Sequence, residues 1–226
     1  MSLTFYFHPL ASFCHKVLIA LYEKQIAFEP CIVDLGNAAA KAQYLELWPV
    51  GKIPVLRDHA RARTIPETTI MIEYLDRHYP GACRLFPDDA DALLEARLWD
   101  RFFDQYVSVP MQKIVGDRLR VEGERDPRGL AEARDALGLA YDMLQERFAT
   151  RTWAIGASFT VADCAALPAL FYSDTLRPFA QTHPNLSAYY ERLLARPSVR
   201  RTLAEARPYF QFYPYREALP ARFLNE

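Results

Sequence analysis

The chain has 226 residues, enough for one large domain or two small ones and for a substantial buried core. Half of the residues are apolar (51%), a quarter charged (24%), and the net charge of −1 leaves no basic footprint for nucleic acid and no acidic tail. The four cysteines, Cys14, Cys31, Cys83 and Cys164, are scattered without CxxC spacing or a histidine cluster, which argues against a structural zinc site, and no metal is expected. The N-terminal MSLTFYFHPLAS lacks the basic flank and apolar core of a secretory signal, and no apolar run approaches the ~18–20 residues of a membrane span. These features point to a reduced, soluble, cytoplasmic protein that uses neither nucleic acid nor membrane as a partner.

The first eighty residues alternate between strand and helix signals. LTFYFH (3–8) is aromatic and alternating, a short strand. From Phe13 to Lys24 the residues Val17, Leu18, Ala20 and Leu21 recur at helical spacing. FEPCIV (28–33) returns to strand and AAAKAQYLEL (38–47) to helix. KIPVLR (52–57) and a second short strand near Arg63–Ile65 are joined by a polar turn, and ETTIMIEYLDRHY (67–79) is a further helix with Ile70, Tyr74 and Leu75 on one face. The order β-α-β-α-β-β-α requires a parallel crossover first and a hairpin last.

YPGACRLFPDD (79–89), with two prolines and a glycine, reads as an interdomain linker. Beyond it strand signals vanish. Residues 90–120 and 128–149 are long amphipathic stretches, and shorter helical segments follow near 160–177, 185–196 and 198–206. The tail from Pro208 is too rich in aromatics and prolines for a regular helix and is expected to cross the body as an extended strap. The expected architecture is an α/β domain at 1–80 followed by an all-helical domain at 89–226 that includes this tail.

Three stretches carry chemistry or its scaffolding. In WPVGKIPVL (48–56), Ile53-Pro54 opens a strand, where proline cannot join the ladder. A cis bond there would present the Ile53 backbone to a peptide-like ligand; the alternative is an ordinary trans proline at a strand start. In IPETTI (65–70) a strand ends and a helix begins with Glu67, Thr68 and Thr69, a carboxylate, hydroxyls and free N–H groups suited to both halves of an amino-acid zwitterion, or simply to capping. In SFTVADC (158–164), Thr160 and Asp163 form a capping box before a run, CAALPALFY, that is apolar all round, so the helix it starts is buried and Pro168 should kink it.

Together these motifs resemble the cytosolic glutathione S-transferase superfamily over essentially the full chain: the first strand and helix, VGKIPVL, ETTI in place of the usual E-S-x-x-I, the linker, and SFTVADC. The resemblance implies a thioredoxin-like first domain that binds glutathione as co-substrate, a helical second domain that shapes a hydrophobic site, and a homodimer with the first domain facing the helices near 90–110 of its partner. It implies that Ile53, with Pro54, clamps the cysteinyl backbone of glutathione, that Glu67 and Thr68 hold its γ-glutamyl end, and that Lys52 lies near its charged groups. It also suggests that Asp104 reaches the glutamyl ammonium across the dimer.

The family's usual serine or cysteine, which activates the thiol, falls on Ala11, whose side chain donates nothing. Candidates to replace it cluster in PLASFCHKVLIAL (9–21). Ser12 is the first choice, as hydroxyl donor to the thiolate or else as a plain N-cap. Cys14, beside His15 in the first helical turn, is either a low-pKa nucleophile that forms a mixed disulfide with glutathione or a buried filler. Tyr6 ends the first strand as a catalytic tyrosine or an inward core aromatic, and His15 reads as a surface or helix-face residue. In LWDRFFDQYVSVPMQK (98–113), Phe102, Tyr106 and Met111 are expected to meet a hydrophobic electrophile. The expected activity is conjugation of the glutathione thiol to that electrophile. The alternatives are a non-catalytic interaction or ligand-carrier protein on the same fold, and a glutathione-dependent thiol reductase or peroxidase using Cys14.

Overall fold

The computed structural model describes residues 2–224. Strand β1 (Leu3–Phe7) leads into helix α1 (Ser12–Glu23), followed by β2 (Glu29–Ile32), α2 (Ala38–Leu47), β3 (Val55–Asp58), β4 (Arg63–Ile65) and α3 (Thr68–His78). The sheet order is β2-β1-β3-β4; β1 pairs parallel with β2, and β3 runs antiparallel to both β1 and β4. Alternation along β1 sends Leu3, Phe5 and Phe7 into the main core. Tyr6 takes the other face, in a small cluster with Tyr44 of α2 and Val55, so it is a packing aromatic. β3 starts at Val55, later than the sequence suggests, because Lys52–Pro54 stay outside the ladder.

Residues 79–89 cross without regular structure to α4 (Ala90–Phe102). A buried ion pair fastens this crossing: Lys24, just past α1, meets Asp76 of α3 at 2.6 Å and donates to the Cys83 carbonyl at 2.9 Å. Asp76 in turn accepts the Leu85 and Phe86 N–H groups. The helical part continues through α5 (Val109–Arg118), α6 (Pro127–Arg147), α7 (Val161–Asp174), α8 (Pro184–Leu194) and α9 (Pro197–Ala206). One widened, π-helical turn, Phe103–Ser108, separates α4 from α5. Pro110 lies one turn later; its ring would clash with the Tyr106 carbonyl in a regular helix, and the wider turn relieves that clash.

The α7 helix is the hub. Every residue from Val161 to Ser173 is buried, and Pro168 sits inside a helix that runs unbroken to Asp174. The expected capping box is present: Asp163 accepts the Thr160 N–H at 2.8 Å. Asp163 also takes the Ala154 N–H and the Tyr189 hydroxyl, so one carboxylate ties three segments of the helical part together. Helix α1 packs against α7, which explains why Cys14 through Leu21 are all buried when one amphipathic face would have sufficed for the sheet. The tail corrects the expected extended strap. It forms 3₁₀ turns at Arg207–Phe212 and Arg216–Ala218 and a short helix, α10 (Ala221–Leu224). Its aromatics do cross the body, with Phe210 stacked on Phe171 and Tyr213 against Tyr172.

Candidate active site

Two clefts flank the N-terminus of α1. The first, about 470 Å³, lies between Lys52–Pro54, the start of α3 and the π-helical turn. The Ile53-Pro54 bond is cis. Tyr44 donates to the Lys52 carbonyl at 2.6 Å and thereby fixes the segment ahead of it. Across the cleft, Glu67 precedes α3 with φ of 65° and ψ of 118°, a left-handed conformation that costs a non-glycine residue of order 1–3 kcal/mol. That backbone leaves the Glu67 side chain exposed at the cleft while its carbonyl accepts the Met71 N–H. Thr68 and Thr69 open the helix beside it, where first-turn N–H groups and the helix dipole favour a carboxylate.

A buried charge cluster forms the floor. Lys16 of α1 lies 2.6 Å from Asp100 and 2.9 Å from Asp104, and it donates to the Thr69 hydroxyl at 3.1 Å. Thr69 donates onward to Asp100 at 2.6 Å. Burial works against the charge on Lys16, but the two carboxylates hold its pKa above the ordinary value. Burial raises Asp104 in spite of Lys16. The cluster joins α1 and α3 to α4 directly beneath the cleft, so the same residues that shape this site hold the two parts of the molecule together.

The second cleft, about 380 Å³, lies on the other side of the α1 N-terminus, between α5 and the tail. Ala11, Ser12, Met111, Gly116, Tyr172 and Tyr213 are among its lining residues, and among the described residues no charged side chain lines it. A Cβ placed on Gly116 would meet nothing within 4 Å, so this glycine leaves the wall open. Gln112 lines both clefts, and the adjacent residues Ser12 and Phe13 face one each. The two spaces therefore meet at the first turn of α1.

Residues 5–82 match the model described as "Glutathione S-transferase, N-terminal domain" and residues 103–197 the one described as "Glutathione S-transferase, C-terminal domain". The chain belongs to the glutathione S-transferase family. "Glutathione S-transferase GstB" of Escherichia coli is 27% identical over 190 residues, covering 83% of this chain and 91% of that protein. A glutathione S-transferase from Methylobacillus flagellatus, crystallised with GSH bound, superposes with a TM-score of 0.81 at 25% identity, covering 89% of this chain and 98% of that one. Another, from Methylobacterium radiotolerans in complex with glutathione sulfonate, gives 0.77 at 27% identity over 88% and 93% of the two chains. The family uses glutathione as co-substrate, and its thioredoxin-like and helical layers are the two parts described above.

In this family frame, Lys52, Ile53, Pro54, Glu67 and Thr68 all line the polar cleft. Ser12 lines the apolar one. Ser12 does not cap the helix: the N-cap is Ala11, which makes no side-chain bond, and Ser12 is the first helical residue. Several readings need correction. Cys14 is fully buried and lines neither cleft; desolvation pushes its thiol up to about 12, the reverse of the electropositive setting that the neighbouring histidine suggested. His15 is not on the surface but in the core, where burial depresses its pKa to about 4. Phe102 is buried between Trp99 and Tyr106, and Tyr106 is 60% exposed and lines neither cleft; of the three expected pocket residues only Met111 lines the apolar cleft. Asp104 is engaged by Lys16 of its own chain, although it does border the polar cleft.

Gln112, Gly116, Tyr172 and Lys16 were not singled out in the sequence. A signal existed for Lys16: it sits on an otherwise apolar helix, and Asp100 and Asp104, four apart in an aromatic stretch, needed a cation.

Proposed function

We propose that this protein conjugates the thiol of glutathione to a neutral hydrophobic electrophile. The observation that carries the reading is the junction at the first turn of α1. There a cleft with the acid, hydroxyls and helix N-terminus suited to a zwitterionic tripeptide meets a cleft that no charged side chain lines among the described residues. Glutathione in the polar cleft would place its sulfur at that junction, with Glu67 on the glutamyl ammonium, Thr68 and the α3 amides on the glutamyl carboxylate, and the Ile53 backbone on the cysteinyl unit. Ser12 is the side chain assigned to donate to the thiolate. Its hydroxyl has no hydrogen-bond partner among the described residues, so it is free to donate.

The thiolate is the nucleophile, and a free thiol near pKa ~8.5 is mostly protonated at neutral pH; a donor and a helix N-terminus aimed at sulfur favour ionisation. In the reaction the C–S bond forms as the leaving group departs with its electron pair, or as an activated double bond takes up the electrons and then a proton. The uncharged lining selects against ionic acceptors, whose desolvation would be uncompensated. A thiol-reductase or peroxidase role for Cys14 has no support in its burial and raised pKa.

The protein is also proposed to act in the cytoplasm as a homodimer across α3 and α4. These helices lie side by side through Arg97–Glu73, and they expose Ile70, Leu94 (63%) and Leu98 (61%) to solvent. Such a row on a soluble monomer is an association surface. No helix among the described residues is long and apolar enough to cross a membrane.

The experiment is retention on immobilised glutathione, followed by assays with an aryl halide, a hydroperoxide and a mixed disulfide. Retention with turnover of the aryl halide supports the proposal. No retention would favour an interaction module on the same fold, and turnover of the disulfide alone would favour a reductase. Light scattering at micromolar concentration checks the dimer.

A further inference from the structure

The loop that delivers the chain into α1 has an unusual set of restraints. Four consecutive carbonyls, from His8 to Ala11, each accept hydrogen bonds from donors inside the protein. The His8 carbonyl takes the Ala11 N–H at 3.0 Å, and the Ala11 carbonyl takes the Cys14 and His15 N–H groups at 2.9 and 3.1 Å. Between them, the Pro9 carbonyl accepts from His15 Nε2 at 2.5 Å, and the Leu10 carbonyl accepts the Tyr172 hydroxyl at 2.7 Å. Those last two donors come from different layers of the molecule, α1 and α7, and their rings lie side by side with centroids 5.7 Å apart.

Side chains near a helix start lean back toward its N-terminus, which is how His15, one turn in, reaches the loop ahead of it. Because its partner is a carbonyl, Nε2 carries the proton, and Nδ1 is left buried without a partner among the described residues. A buried orphan nitrogen costs stability, and protonating it would bury an unpaired N–H. The ring is thus held neutral, as a donor and not as a base. The groups facing the loop are His8 itself, Cys14, His15, Tyr172, and Tyr209 and Tyr213 of the tail, with Asp34 acting on His8. Burial keeps His8, Cys14, His15, Tyr172 and Tyr213 uncharged near neutral pH.

Resting on the function proposed above, we propose that His15 and Tyr172 are positioning residues for the glutathione thiolate. By drawing the Pro9 and Leu10 carbonyls inward, they keep negative oxygen dipoles away from the sulfur. They also leave the first-turn N–H groups of Ser12 and Phe13 and the Ser12 hydroxyl turned to the junction of the clefts. With alanine at position 11, the activating dipoles are held by backbone orientation, and the helical layer reaches across through Tyr172 to set the acidity of a thiol bound by the other layer.

The test titrates the ultraviolet absorbance of bound glutathione thiolate against pH in the wild type, Tyr172→Phe, His15→Leu and His15→Gln. Tyr172→Phe and His15→Leu should each raise the thiol pKa by about one unit, a roughly tenfold loss of thiolate at pH 7. His15→Gln, whose amide donates to the same carbonyl, should recover most of that shift. Affinity for S-methylglutathione, which has no thiol proton to lose, should change far less. An unchanged thiol pKa in folded Tyr172→Phe would overturn the inference, as would an equal loss of S-methylglutathione binding, which would mean general damage to the cleft. If the His15 variants do not fold, Tyr172→Phe decides alone, since it deletes one oxygen from an intact ring. A wild type that binds no glutathione at all would overturn the function itself, and that result is read before any variant is compared.

Discussion

The polar cleft and the apolar cleft share the first turn of α1 and Gln112 but stand on different foundations. Beneath the polar cleft is a buried lysine between two buried aspartates, bridged by Thr69 to the start of α3. The apolar cleft is walled by uncharged side chains from α1, α5, α7 and the tail that meet mainly by packing, with hydrogen bonds only from the tyrosine hydroxyls and a glycine leaving room. Charge clusters are specific and brittle, because removing one partner strands the others in a low dielectric. Packed walls are adaptable, because changing their volume alters what fits before it alters whether the chain folds. On the proposed function, one half of the site is fixed to glutathione and the other is free to vary with the electrophile.

The largest expected effect tests that brittleness. Lys16→Met should destabilise the protein by about 3–5 kcal/mol in denaturant melts, since Asp100 and Asp104 would be left buried without their cation. The double substitution Lys16→Met with Asp100→Asn should recover part of the loss. A single variant as stable as the wild type would remove the distinction between the two foundations.

Next is the ligand side of the same cleft. Glu67→Ala should weaken glutathione binding by about 1.5–3 kcal/mol in calorimetry, the range for a hydrogen bond to a charged group. The backbone cost at this position is unchanged, because alanine carries the same Cβ at a positive φ. Unchanged affinity would show that the tripeptide lies elsewhere.

A smaller effect is expected at the junction. Ser12→Ala should raise the pKa of bound glutathione thiol by about one unit, ~1.4 kcal/mol, and move the acidic limb of the transfer rate to higher pH by the same amount. The sign follows from a donor that stabilises only the ionised sulfur: without it, higher pH is needed for the same thiolate fraction. Cys14→Ala should leave that profile in place, because Cys14 lines neither cleft.

The same contrast explains what was legible in the sequence. The polar cleft was readable because its parts are local motifs: an Ile-Pro at a strand start and a Glu-Thr-Thr at a helix start, thirteen residues apart. The element order and the Thr160–Asp163 box were readable for the same reason, as period, punctuation and capping act within a few residues. The apolar cleft was not, because Ala11, Gly116, Tyr172 and Tyr213 belong to four segments that only the tertiary fold brings together. Phe102 and Tyr106 looked like pocket residues because aromatics on a helix signal an apolar face without saying which neighbour covers it. Cys14 and His15 misled in the opposite sense. For Cys14 the first helical turn left a low-pKa nucleophile open beside a buried filler, and His15 read as a surface residue, but α7 covers that face of α1 and burial keeps both uncharged in the core.

The central claim is that the two clefts meet at the sulfur of bound glutathione, and the affinity of S-hexylglutathione relative to glutathione tests it most directly. A hexyl chain on the sulfur should enter the uncharged cleft beside Met111 and Gly116 and tighten binding by roughly 2 kcal/mol, about thirtyfold, allowing for incomplete burial and the cost of ordering the chain. Gly116→Leu, which fills the open wall, should remove most of that gain while glutathione itself binds as before. Equal affinities for the two ligands in the wild type, or a gain that survives Gly116→Leu, would contradict the account.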